Sequence, residues 1–254
     1  MRTYSAEALV LRTYRYGEAD RIVVFLTEDR GKRRGVARHG TVSRRRFGAA
    51  LEPFTRGRVT YVERETRDLV RLDRIDLRQS PLGVAAGAEG DPALRLSHAG
   101  YFAELLDEWA PEAAPNERLY RLGAAVGDAL ARGGSVDAIA RYFEYWLLRL
   151  EGVYPALSAC SRCGRPEFAD GAVLVAGERT LICTSCAQGG PRLSPEALGF
   201  LRAAGRRTPA EAASARTARG ALREIEHAHG RLIAMHLEKE LRSARVVREL
   251  GAGS

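Results

Sequence analysis

Over the first eighty residues the apolar positions fall in short runs separated by polar turns. Ala8-Leu9-Val10-Leu11 and Ile22-Val23-Val24-Phe25-Leu26 flank the polar stretch from Arg15 to Asp20, which predicts two strands and a turn. Asp29-Arg30-Gly31-Lys32 forms a second turn and opens a strand around Gly35-Val36-Ala37. After a basic loop come Arg58–Val62 and Leu69–Ile75. The latter alternates apolar and polar residues, so one face is buried and the other wet. Five short strands in this length suit a small closed barrel such as an OB-fold. An SH3-like barrel gives a similar pattern, and the alternation does not separate the two.

Between Ser80 and Asp91 the composition turns to Gly, Ala and Pro, and beyond it the apolar spacing becomes helical. Asp91-Pro92 starts a helix that carries Leu94, Tyr101, Phe102, Leu105 and Trp109 before Pro111. A second helix runs from Pro115 through Leu119, Leu122, Val126 and Leu130 to Gly133-Gly134, and a third from Ser135 through Ile139, Phe143, Trp146, Leu147 and Leu150. Ser194-Pro195 and Thr208-Pro209-Ala210-Glu211 open two more, the second with a capping box. A long last helix is predicted from about Thr217 to Val247. The expected fold is therefore α+β and multidomain: a barrel over 1–80, a linker over 81–91, and a helical domain over 92–156 and 192–250, with an insertion over 157–191.

That insertion holds all four cysteines, as Cys160-Ser-Arg-Cys163 and Cys183-Thr-Ser-Cys186. Two Cys-x-x-Cys pairs at this separation match a zinc ribbon, in which each tight turn points two sulfurs at one ion. Two disulfides or a thioredoxin-like redox pair are the alternatives. The opening residues do not resemble a secretory signal, so a reducing compartment is expected and disfavours disulfides; a redox pair needs one Cys-x-x-Cys only. Four thiolates close the coordination shell, so one structural zinc is expected and no reaction centre.

Charge divides unevenly along the chain. Residues 1–80 hold 19 Lys and Arg against 11 Asp and Glu, which accounts for the whole net charge of +8. The excess gathers between Gly31 and Arg58, at Lys32, Arg33, Arg34, Arg38, Arg44, Arg45, Arg46 and Arg56, with Phe47 and Phe54 interleaved. A row of cations on a strand and its loop can track phosphates, and aromatic faces beside it can stack bases. A solvated basic face is the bland alternative, and Phe47 and Phe54 fit a core better than a platform. No phosphate-binding loop, dinucleotide fingerprint, His-Glu-x-x-His or Gly-x-Ser-x-Gly elbow occurs, so no enzyme activity is expected. No apolar run reaches the length of a membrane span.

Several segments also resemble a known family. Ala8–Thr13, Tyr16-Gly17-Glu18-Ala19-Asp20-Arg21, Leu26–Lys32 and Arg46–Phe54 are similar to the opening of the RecO family of bacterial DNA-repair proteins. Leu147–Pro155, followed closely by Cys160–Gly164, resembles that family's junction between helix and zinc site. Leu241-Arg242-Ser243 resembles its close. The resemblance implies an OB-fold, a helical domain and an inserted zinc site in a cytoplasmic, nucleoid-associated recombination mediator. Such a protein binds single- and double-stranded DNA and anneals strands without ATP. With RecR it helps load RecA onto DNA coated by single-strand-binding protein. The family's DNA-binding surface carries over onto Lys32, Arg34, Arg38 and the loop Arg44–Arg46. An RNA-binding protein of RNA or ribosome metabolism would share the charge and the motifs, and is the alternative.

Overall fold

The computed structural model describes residues 1–43, 46–64, 68–81, 83, 91–238 and 241–251. Its first five strands are β1 (Arg2–Tyr16), β2 (Asp20–Thr27), β3 (Gly31–Ala37), β4 (Arg56–Glu63) and β5 (Val70–Gln79). They close in the order β1-β2-β3-β5-β4, with β4 returning to β1 and with β3 and β5 parallel. This Greek-key closure is that of an OB-fold and decides between the two barrels that the pattern left open. Val10, Val23, Phe25, Val59, Tyr61, Val70 and Leu72 fill the interior. Phe47, Ala50 and Leu51, from the loop between β3 and β4, belong to the same core.

β1 and β2 are apolar on successive residues because both of their faces are covered. Val10 and Phe25 face inward as a register pair, and the neighbouring pair Leu9 and Leu26 points outward. The outward pair lies under α1 (Pro92–Trp109) and α2 (Glu117–Arg132). The fit against α2 is close: a Cβ added at Gly123 would fall 2.6 Å from Leu9 Cδ1. Arg56 adds an ion pair to Asp128 of α2 at 2.8 Å. A β-bulge then breaks the register between Val10 and Arg12. Beyond it Thr13 pairs with Val23 on the inner face, and Arg12, Tyr14 and Tyr16 point outward. Without that extra residue the two tyrosines would face the barrel interior.

By internal packing the chain forms two compact units divided at Gly133/Gly134. One unit comprises 1–133 and 242–254, the other 134–241. In the first unit α1 and α2 bury apolar side chains against the barrel. The long last helix is two helices, α6 (Arg219–Leu237) and α7 (Arg242–Gly251). Glu238, in the left-handed region at φ +53°, ends the first. Ser243 donates its backbone N–H to Glu104 of α1 at 2.9 Å, which holds α7 in the barrel unit. Tertiary packing here overrides a helical spacing that carries no Gly or Pro to mark the break.

The second unit contains α3 (Val136–Leu150), a small sheet of β6 (Ala172–Val175), β7 (Thr180–Cys183) and β8 (Arg192–Leu193), then α4 (Pro195–Ala204), α5 (Pro209–Ser214) and α6. Ser135, Ser194 and Thr208 cap their helices as their sequence predicts, Thr208 through a full capping box. A buried polar chain joins α3 to α6. Arg141 pairs with Glu144 at 3.1 Å, and Glu144 accepts from His229 Nδ1 at 2.9 Å. A carboxylate can only accept, so Nδ1 carries the proton. Neutral Nε2 then accepts from the Tyr154 hydroxyl at 2.9 Å.

Burial lowers the His229 pKa from its usual 6.5, outweighing the hydrogen bond to Glu144 that favours the charged form. Below pH 6.5 the unfolded chain takes up a proton that the folded chain refuses, so acid favours unfolding. Thermal midpoints measured from pH 7.5 to 5 should fall for the wild type. His229→Gln should remove up to about 1.4 kcal/mol per pH unit of that fall below pH 6.5. Parallel curves for the two proteins would disprove the assignment.

Candidate nucleic-acid interface and metal centre

The outer face of β1–β3 changes character at the bulge. On one side it lies beneath the helices; on the other it is open. There Tyr14, Ile22 and Val36 form one cross-strand row; the adjoining row of Arg12, Val24 and Arg34 borders the covered part, with Val24 buried. Tyr14 and Tyr16 are 44% and 51% exposed. They sit on one face two residues apart, about 6.8 Å along the strand. Ile22 and Val36 are half-buried, while Arg34 and Arg38 are exposed at the β3 side. The Arg12 guanidinium donates to the Tyr14 hydroxyl at 3.2 Å and fixes that ring at the edge of the patch. Aromatic faces bordered by arginines on an OB-fold sheet make a surface on which bases can stack while phosphates pair at the rim.

The basic residues singled out from sequence separate into two groups. Lys32 is only 7% exposed and lies between Asp107 and Glu112, 3.4 Å from a carboxylate oxygen of each. It joins the barrel to the end of α1 and does not present its ammonium to solvent. Arg33 points to the inner side near Glu63 at 3.8 Å, and Arg56 is taken up by Asp128. Each of these three sits where a neighbouring element supplies a carboxylate. Arg34 and Arg38 remain on the surface. Arg46, partly buried, donates to the Arg38 carbonyl at 2.5 Å and lies over the Phe47 ring at 5.1 Å. Arg44 and Arg45 lie outside the described residues. Phe47 and Phe54 are each 3% exposed, so both are core, as their setting suggested. The sequence pattern puts Tyr16 in a polar turn and assigns Tyr14 no role, whereas β1 runs on to Tyr16. Only the bulge exposes them.

The four cysteines come together as their spacing predicts. Gly164, at φ +69°, closes the turn around the first pair, with its N–H on the Cys160 carbonyl at 2.9 Å. Cys183 ends β7 and Cys186 closes the short helical turn that follows it. The four sulfurs lie within 4.8 Å of one another, and those of Cys163 and Cys183 are 3.8 Å apart. Burial works against a thiolate at Cys160. The backbone N–H groups of Cys163, Cys183 and Arg162 outweigh it and bring the pKa down to about 6. Cys186 moves the other way, to about 12, because the Cys183 and Cys163 sulfurs crowd it. Thiols this close cannot all ionise unless a cation sits among them, and such a cluster could hold a metal ion. No helix among the described residues is long and apolar enough to cross a membrane.

Comparison with known proteins covers nearly the whole chain. Family models described as Recombination protein O N terminal and Recombination protein O C terminal match residues 1–81 and 93–245. The DNA repair protein RecO of Anaeromyxobacter sp. (strain K) is 40% identical over 246 residues, which span 96% of this chain and 95% of that protein. The DNA repair protein RecO of Geobacter sulfurreducens is 39% identical over 201 residues, 79% and 80% of the two chains. That of Koribacter versatilis is 43% identical over 159 residues, 63% of each.

Proposed function

Because the chain belongs to the RecO family of DNA repair proteins, we propose that it is a recombination mediator that binds single strands on the open face of β1–β3 and anneals complementary DNA without ATP. The exposed pair Tyr14 and Tyr16, bordered by Arg34 and Arg38, is the observation that carries this reading. Stacked bases give affinity without choosing sequence, since every base has a π-face. Arginines at the rim neutralise phosphate and lower the repulsion that keeps two single strands apart. Base pairing then supplies the free energy, in keeping with the absence of a nucleotide-binding loop from the sequence. Duplex DNA, RecR and single-strand-binding protein are the further partners this reading implies, with loading of RecA as the outcome. Its setting would be the bacterial cytoplasm, at the nucleoid.

We assign zinc to the four-cysteine cluster. Zinc–sulfur bonds of about 2.3 Å in a tetrahedron place sulfurs about 3.8 Å apart, the separation of Cys163 and Cys183. Bound there by Cys160, Cys163, Cys183 and Cys186, the ion has no open position and acts as a staple for the β6–β7 hairpin. Purified protein should contain one zinc per chain. Chelation should lower the thermal midpoint of the wild type but not of Cys163→Ser, which is already destabilised. Metal analysis that finds no zinc in protein prepared without chelator would refute this.

Annealing of complementary oligonucleotides without nucleotide tests the main reading. Tyr14→Ala/Tyr16→Ala should weaken single-strand binding at least tenfold, since each stacked base contributes about 1–3 kcal/mol, and annealing should slow with it. Arg34→Ala/Arg38→Ala should flatten the plot of log affinity against log salt by about 0.7 to 1.4. Both variants keep the barrel core and should melt like the wild type. Normal annealing by the tyrosine variant, or stronger binding of structured RNA than of single-stranded DNA, would contradict the proposal.

A further inference from the structure

At the edge of this face a carboxylate occupies the arginine that the proposal offers to phosphate. Arg34 places Nε 3.2 Å and Nη2 2.8 Å from Oε1 of Glu112, and Lys32 Nζ lies 3.4 Å from the same oxygen. One anionic oxygen thus accepts a guanidinium fork and an ammonium, as a phosphate oxygen would. The carboxylate is held there by backbone. Lys32 donates its N–H to the Pro111 carbonyl at 3.4 Å, and Ala113 donates to the Lys32 carbonyl at 3.0 Å, so the segment 111–113 runs along the start of β3. Gly31 permits this approach: it sits at φ +71°, and a Cβ there would lie 2.0 Å from the Ala114 carbonyl oxygen.

The acidic end of α1 points the same way. Asp107 and Glu108 stand in its last turn, with no basic residue to offset them, against the helix dipole. Arg12 of β1 pairs with Asp107 at 3.1 Å and reaches Glu108 at 3.9 Å. The charges that oppose the helix end therefore come from the barrel. Asp107 and Lys32 are buried and make a permanent joint, whereas Arg34 and Glu112 are each about half exposed. An exposed pair of this kind is weak and exchangeable.

We infer that Glu112 is an intramolecular competitor for phosphate at Arg34, so that binding a single strand exchanges one anion for another at that residue. The inference rests on the face proposed above. Exchange has a defined signature. An arginine already neutralised by a carboxylate contributes less to counterion release than a free one, and the displaced carboxylate repels the incoming backbone.

Salt titrations of single-stranded oligothymidylate binding to Glu112→Gln test this in the full chain. Affinity at low salt should rise about three- to tenfold, and the slope of log affinity against log salt should steepen by about 0.7. Arg34→Ala should bind more weakly than the wild type, and Arg34→Ala/Glu112→Gln should show no slope gain over Arg34→Ala. If Glu112→Gln melts early through loss of the Lys32 contact, Glu112→Asp keeps the charge, withdraws it from Arg34 and should raise affinity in the same direction. Unchanged affinity and slope in the folded Glu112 variant, with Arg34→Ala weakened, would overturn the competition. An Arg34→Ala protein that binds like the wild type would instead overturn the binding face itself.

Discussion

One strand, β1, must serve three surroundings in fifteen residues. Its inner face fills the barrel, its outer face carries α1 and α2, and further along the same outer face opens to solvent. Side chains on a strand alternate strictly, so a uniform strand would turn residues 12, 14 and 16 to the same inner side as Val10. The bulge between Val10 and Arg12 removes that conflict by shifting the alternation by one residue. Ala8 and Val10 stay inside, Thr13 takes the inward place and reaches the Leu51 carbonyl at 2.7 Å, and the tyrosines come out. The open face exists because of that one extra residue.

Electrostatics draws the boundary between the covered and open parts of this face. The barrel region carries the whole positive excess of the chain, yet several of its cations are consumed internally by Asp107, Glu112, Asp128 and Glu63. Burying a lysine without a partner would cost several kcal/mol, so Lys32 is retained only together with its carboxylates. The same carboxylates fasten the helices to the barrel. Net charge along the sequence is therefore a poor count of available phosphate contacts. What matters is which cations lie beyond the reach of α1, α2 and the segment that follows α1.

The legible features were those with local causes. Cys-x-x-Cys spacing, Ser and Thr caps before Pro, and glycines after helices act within a few residues, and the structure reproduces the cysteine cluster, the capping box and the ends of α2 and α3. The barrel was legible as strands, but its identity required the parallel contact of β3 with β5, which no local pattern encodes. The break at Glu238 and the burial of Lys32 depend on partners far along the chain, Glu104 for α7 and Asp107 for the lysine. The tyrosines were hidden because β1 continues through polar residues that read as a turn. The bulge that turns them outward leaves no mark in composition.

The central claim is that single-stranded DNA lies across the outer face of β1–β3 beyond the bulge. Photocrosslinking to oligonucleotides carrying 5-iodouracil, with the attached peptide mapped by mass spectrometry, addresses it most directly, because the reaction requires a base in contact with a side chain. The account predicts crosslinks at Tyr14 and Tyr16, lost when a competing unlabelled strand is added. Crosslinks confined to residues 134–241, or absent from β1 while present elsewhere on the barrel, would contradict it.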